Sequence, residues 1–388
     1  MDAEERLFIK ILKDFLHSQE TKIDNLSSFD LEKLYNLSAK HQLSPIVYWQ
    51  IHKLTELVSQ FKLDFYRQVY LYQTRTNTDH EAEVALADFD YAFFKGRVIA
   101  EKYPEPNMRT MVDTDILVKE KDLDKISKRL ELAGFEIVER YKEVLMCSKH
   151  ALTYEIHTSL IENKPERLKY VKYFDDVWSH YKEGHVLEKN FHFVYVFMHL
   201  RDHFIGCGVG FRQFMDIAVL TLNENYDWDY IAKELDKLGL LDFAKKVLYL
   251  NKVWFDVDSP FPTCCVDDEF VSQATELIIN HGVFGSVSRE EDGFWISKYA
   301  TEAGVEHREA RILVFFRSLF PAYQTLTSLP YCRYVIGKKY LIPIAWLHRA
   351  IIRIPKHAHR EAFVHRVFCK NEKITDRIDT MRKWGLHK

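Results

Sequence analysis

The sequence predicts an α+β fold: a small mixed β-sheet core flanked by N- and C-terminal helical regions. Three observations predict it. Apolar residues recur at helical spacing through the first 85 residues. Short alternating or apolar runs punctuated by Gly and Pro then occupy about 75 residues, the size of a compact α+β insert. Helical spacing returns after Glu166. The expected divisions are a helical region (1–85), an α/β core (86–165), a second helical domain (166–330) and a basic helical tail (331–388).

Leu7, Ile9, Ile11, Leu12, Phe15 and Leu16 form the stripe of a first helix. Ser28 or Asp30 caps the next, over residues 31–40, and Pro45 opens a third. A long, mostly polar helix spans roughly residues 56–87. YAFF (91–94) reads as a buried strand, broken by Lys95-Gly96. RVIAEKY is helical up to Pro104 and Pro106. Residues 110–118 form a strand, 123–133 a helix stopped by Gly134, and 135–141, 144–148 and 152–160 three more strands. Further helices are expected at 191–205, at FRQFMDIAVLTL after the GCGVG run, through 230–251, and at 268–279. Residues 280–305 read as loop and 308–319 as helix, followed by Pro-interrupted helices in the tail.

Of the 388 residues 47% are hydrophobic and 29% charged, an ordinary soluble composition. No stretch is long and apolar enough to cross a membrane, and the acidic, amphipathic start differs from a secretory signal. Six cysteines include no C-x-x-C pair, and a disulfide within Cys264-Cys265 would be strained. Reduced thiols in a cytoplasmic protein are expected. The net charge of −3 hides an asymmetry, because residues 331–388 carry 14 Lys and Arg against 4 Asp and Glu. That tail suits RNA phosphates or an anionic membrane surface as a peripheral contact. Docking on the acidic body, or closing the core with the basic face in solvent, are the alternatives.

The chemistry concentrates in FFKGRVIAEKYPEPNMRTMVDTD (93–115). Asp113 and Asp115, two apart on a strand, point to one face of the sheet. Glu155, on a later strand, offers a third carboxylate. Like charges so placed repel unless a cation offsets them, and hard divalent cations prefer oxygen ligands. Lys95-Gly96 opens a helix after a strand, where backbone N–H groups and an ammonium can meet a phosphate. Arg109 either contacts phosphate or pairs with Asp113. Each signal alone is weak: D-x-D is common by chance, and a solvated strand edge is the plain alternative.

Taken together, the order K-G turn, Arg, D-x-D, strand carboxylate resembles the polymerase-β-like nucleotidyltransferase superfamily. More narrowly it is similar to a bacterial family of uncharacterised nucleotidyltransferases, through LSAKHQLSPIVY (37–48), FFKGRVIAEKY (93–103), MRTMVDTDILV (108–118) and FMHLRDHF…FRQFMDIAVL (197–220). The resemblance covers about residues 25–225 and not the tail. It implies a nucleotidyltransferase core that uses Mg2+ or Mn2+, with an NTP such as ATP as substrate. Asp113, Asp115 and Glu155 would be the catalytic metal ligands, and Lys95, Gly96, Arg97 and Arg109 would lie at the triphosphate. The activity implied is transfer of NMP to a hydroxyl or amine of a small-molecule, protein or RNA acceptor, releasing pyrophosphate. A catalytically inactive binding or assembly module on the same fold is the alternative. The turn departs from the superfamily, since Arg97 stands where a phosphate-binding serine is common.

His199 and His203 share a helix face, but the H-E-x-x-H zinc pattern is absent. Packing or hydrogen bonding is the expected role, and lining of an acceptor or base pocket is the alternative. Arg212 and Asp216, also four apart, read as a structural pair. His157, on the face of Glu155, reads as a partner of the carboxylates or an acceptor contact rather than a base.

Overall fold

Capping side chains and an apolar stripe set the first two helices. A computed structural model describes residues 1–54, 56–141, 143–206, 208–261, 266–283, 294–327, 329–353 and 371–387. Helix α1 (Ala3–Leu16) begins at Asp2 with a reciprocal Asp2–Glu5 capping box. Asp30, not Ser28, caps α2 (Leu31–Lys40), and Pro45 sits in the first turn of α3 (Ser44–Ile51). The polar helix α4 runs from Ser59 to Leu86.

The alternating runs build a five-stranded sheet of β1 (Tyr91–Phe94), β2 (Asp113–Val118), β3 (Glu136–Arg140), β4 (Val144–Lys149) and β5 (Leu152–His157). Its order is β1-β2-β5-β4-β3, with β2 and β5 parallel and the other neighbours antiparallel. The short α5 (Gly96–Ala100) follows β1, and α6 (Leu123–Leu132) follows β2. Period-two alternation gives the sheet two unlike faces. Tyr91, Phe93, Ile116, Val118, Tyr154 and Ile156 pack with Ala82 and Leu86 of α4 and with Ile126 and Leu130 of α6. The other face carries Phe94, Asp113, Asp115, Glu155 and His157.

Then come α7 (Leu168–Phe174), a two-residue hairpin of β6 (Tyr181–Lys182) and β7 (Val186–Leu187), and α8 (Lys189–Gly206), α9 (Phe211–Asn223), α10 (Trp228–Leu238), α11 (Leu241–Phe255) and α12 (Asp268–His281). By contacts the chain divides into one compact unit of Met1–Glu162 with Lys169–Ser286 and a second of Asn163–Leu168 with Val287–Lys388. The second contains α13 (Phe294–Ala303), α14 (His307–Leu319), α15 (Tyr323–Thr327), α16 (Ile342–Arg353) and α17 (Asn371–Lys383). Residues 294–303, expected as loop, are thus helical. Ile296 and Ala300 are buried against Ala310, Val314, Ile374 and Ile378, and that packing decides what weak local periodicity does not.

Of the basic tail, residues 354–370 lie outside the described residues, as do Cys207, Cys264, Cys265 and Cys369. Cys147 and Cys332 are buried free thiols. Among the described residues no helix is long and apolar enough to cross a membrane.

One buried group ties stability to pH. His41 is fully buried between Phe8 and Phe211, its Nδ1 accepting the Phe211 N–H at 3.2 Å. Burial first, then the nearby Lys40, lowers its pKa from 6.5 to about 3. The folded protein therefore holds it neutral while the unfolded chain takes up a proton below about 6.5, so stability is full above that pH and is lost as pH falls. At pH 5 the loss from this one group is about 2 kcal/mol. The melting temperature is expected to drop between pH 7 and 5, and His41→Leu is expected to reduce that drop. An equally steep fall in the variant would contradict the assignment.

Candidate active site

The site lies where β2 and β5 run side by side. The parallel register sets Asp115 directly beside Glu155 and Asp113 beside Thr153, so all three carboxylates share the face opposite α4. His157, two residues past Glu155, joins them: its Nε2 is 3.0 Å from Asp115 Oδ1 and 3.2 Å from Glu155 Oε2. Ligand atoms of Asp115, Glu155 and His157 all lie within 4.8 Å of one another. This is the arrangement of donors that can hold a metal ion. Asp113 stands two residues back along β2 on the same face.

Lys95 supplies the cation. Its Nζ donates to Asp115 Oδ1 at 2.6 Å, with both side chains largely buried. Burial pushes the Asp115 carboxyl up, but Lys95 and His157 outweigh it and hold it well below the usual carboxylate range. Burial likewise opposes the Lys95 charge, and Asp115 outweighs it, so the ammonium stays protonated. Asp113 goes the other way: burial, then the charges of Asp115 and Glu155, raise its pKa. A second cation would relieve that repulsion. For His157, burial and Lys95 oppose protonation, and its bonds to Asp115 and Glu155 prevail, raising its pKa.

The turn carrying Lys95 is strained. Its φ of 57° and ψ of −123° are a conformation that a side chain rarely adopts, at a cost of about 1–3 kcal/mol. The strain thus falls on Lys95 rather than on Gly96. Gly96 serves closeness instead, because a Cβ there would lie 3.0 Å from Arg109 Nη1 and 3.2 Å from Met111 Sδ. The Lys95 N–H donates to buried His192 Nε2 at 3.3 Å, which fixes the turn to α8. Burial lowers the pKa of His192 to about 4, keeping that nitrogen free to accept.

Helix α8 walls this face with one stripe: His192, Tyr195, His199 and His203. Phe94 packs edge-on against both His157 and Tyr195. His199 and His203 bond to each other, Nε2 to Nε2 at 3.0 Å. Burial and then the mutual His203 and Lys95 charges depress His199 strongly; burial, then Lys95 and Arg212, lower His203 to about 4. The pair is a neutral hydrogen-bonded wall that feels the charges of Lys95 and Asp115.

The two arginines expected at phosphate are engaged elsewhere. Arg109 grips Asp216 of α9 through Nε–Oδ1 and Nη2–Oδ2, both 2.8 Å, and the Tyr103 hydroxyl donates to the same Oδ1 at 2.8 Å. Arg109 therefore pairs with Asp216, not Asp113. Arg212 in turn donates to Gln42 Oε1 at 2.6 Å and Thr110 O at 3.1 Å rather than pairing with Asp216. Spacing of four on a helix permits an ion pair, but the buried Arg109 fork offers two charge-assisted bonds and wins. Arg97 lies on the opposite sheet face, over the Phe93 ring at 3.7 Å, donating to Glu83 Oε1 at 2.6 Å. It lines a cleft with Tyr72, Arg75, Asp79 and Glu101.

Helix α4 holds the strand that presents the aspartates, a role its polar composition concealed. Gln68 Nε2 donates to the carbonyls of Asn107 (2.8 Å) and Arg109 (3.1 Å), and Arg75 Nη1 to Thr114 Oγ1 (2.6 Å). Asp79 Oδ1 accepts from the Tyr154 hydroxyl at 2.8 Å, linking β5 to the same helix. Positions 68, 75 and 79 are seven and four apart, a polar stripe at helical spacing that the sequence displays but that has no apolar periodicity to flag it.

This geometry can be set beside known proteins. A family model described as uncharacterised nucleotidyltransferase matches residues 27–256, a span that contains the whole carboxylate site and its α4, α8 and α9 supports. No curated protein and no solved structure matches the chain. A match over more than half of the sequence, on the residues that build the site, places this chain in the uncharacterised nucleotidyltransferase family.

Proposed function

We propose that the chain is a metal-dependent transferase of polymerase-β-like chemistry that moves an NMP from an NTP, such as ATP, to a hydroxyl or amine acceptor. The observation that carries this reading is the registered Asp115–Glu155 pair with Asp113 on the same face and Lys95 against it. The donor set fits Mg2+ or Mn2+: carboxylate oxygens of Asp115 and Glu155 converge there with His157, and Asp113 lies on the same face. When bound, the metal would offset charge on the triphosphate and orient the reacting groups.

The chain's own residues do the rest. The acceptor oxygen or nitrogen forms a bond to the α-phosphorus as the bond to the β-phosphate bridge breaks, and pyrophosphate leaves. Glu155, half-exposed at the end of the carboxylate cluster, takes the acceptor's proton. Lys95 stabilises phosphate charge, its strained turn placing the ammonium beside Asp115 in advance. Transfer of label from radioactive NTPs onto tRNA, small sugars or protein, with pyrophosphate release, tests the reaction and identifies the acceptor. The cytoplasm is the compartment this reading assumes.

The Lys95–Asp115 contact also supports a second reading, a binding or assembly module in which Lys95 permanently stands in for the metal. Lys95→Met separates the two. If a metal competes with Lys95 for Asp115, the variant gains a larger Mg2+-induced rise in melting temperature than the wild type, without nucleotide, and loses transfer. Absence of any Mg2+ response in both proteins favours the inactive module.

A further inference from the structure

We infer that His157 is itself a metal ligand, and that the cation shared by Asp115, Glu155 and His157 is a first-row ion of the Mn2+ type in preference to Mg2+. This rests on the metal-dependent reading above and names the cation class of that site. Its first support is distance. Adjacent ligands of an octahedral cation with bonds of about 2.1 Å are about 3 Å apart. His157 Nε2 lies 3.0 Å from Asp115 Oδ1 and 3.2 Å from Glu155 Oε2, so two edges of such an octahedron already exist around one imidazole nitrogen. The Asp115 and Glu155 ligand atoms are no more than 4.8 Å apart, so all three donors face one small volume.

The second support is placement. His157 follows Glu155 by two residues on β5, so the strand itself directs both side chains to one face. Phe94 packs edge-on against the imidazole ring, which restricts its swing. The ring is thereby pre-oriented with Nε2 toward the carboxylates, as a ligand requires. Asp113, the other carboxylate of β2, lies two register pairs away on the same face and is not part of the trio.

The third support is donor chemistry. An all-oxygen set suits Mg2+, whereas an imidazole nitrogen suits later first-row metals, and Mn2+ accepts both. A metal at His157 needs Nε2 unprotonated, and Lys95 must yield its place on Asp115 Oδ1. A nitrogen in the ligand shell is the discriminating element, and no carboxylate-only reading predicts it.

The experiment uses the full chain labelled with 15N-histidine and loaded with one equivalent of Mn2+, without nucleotide. Electron spin-echo modulation from directly bound 15N is expected. His157→Ala is expected to abolish that modulation and to weaken Mn2+ binding by at least about tenfold, the lower end of what even an outer-shell loss costs. Mg2+ binding should fall less, and His199→Ala should retain the modulation. Mn2+ bound by the labelled wild type with no nitrogen modulation overturns the His157 assignment alone. Modulation that survives His157→Ala overturns it too. No Mn2+ binding by the wild type overturns this inference together with the metal-dependent reading. The wild-type spectrum decides the matter even if the variant does not fold.

Discussion

Asp115→Asn is expected to abolish nucleotide transfer while leaving the fold in place. The substitution keeps the side-chain shape but removes the buried charge that Lys95 and His157 both address. Three effects compound. The proposed carboxylate ligand is lost, Lys95 is left buried against a neutral amide, and the Asp115 charge that helps raise the Asp113 pKa is removed. Removing one preorganised electrostatic contact costs roughly 10²–10³-fold in rate, and this residue supplies more than one. A drop of at least about 10³-fold in pyrophosphate release is expected. Wild-type protein should gain several degrees in melting temperature from NTP with Mg2+ or Mn2+, and Asp113→Ala/Asp115→Ala should gain none. An unchanged shift in the double variant would remove these aspartates from the site.

The second large effect concerns stability. Arg109 and Asp216 form a two-pronged buried pair, 6% and 7% exposed, joined by the Tyr103 hydroxyl. Burial opposes the guanidinium charge, and Asp216 outweighs it and holds Arg109 ionised. Asp216→Ala leaves that cation in the interior without its partner and strands the Tyr103 hydroxyl. Breaking a buried pair from one side costs about 3–5 kcal/mol. For a unit of this size that corresponds to roughly 10 °C in melting temperature. Arg109→Met/Asp216→Leu, which removes both charges, should recover most of the loss, because a buried pair is often replaceable by apolar groups. Single and double variants melting alike, within about 2 °C of wild type, would show that the pair carries no stability. Arg109 also abuts Gly96, so the single variant tests whether the Lys95 turn depends on this support.

The placement of the candidate carboxylates was legible in the chain. Asp113, Asp115 and Glu155 stand at strand parity, and parity alone fixes that their side chains share a face once the strands pair. The β1–β5 segments fall within a few residues of their sequence-derived positions because Gly, Pro and alternation mark them locally. The family was legible because the resemblance rests on four short local segments, all within the matched residues 27–256.

What remained hidden depends on contacts between residues far apart in sequence. The partner of Asp216 is 107 residues away, and no spacing rule chooses it over Arg212 at i−4. Arg97, adjacent to the K-G turn, leaves the carboxylate face for α4, since Glu83 and the Phe93 ring offer its guanidinium a paired, stacked berth. The α4 stripe of Gln68, Arg75 and Asp79 has no apolar periodicity, so its function as the clamp on β2 appears only once the helix lies along the strand. By itself the sequence determined which residues are strand-borne carboxylates, because alternation and turn chemistry are local. Only the tertiary structure decided that Lys95 and His157 meet Asp115, because burial makes an unpaired charge costly and each one takes the best partner the packing brings within reach.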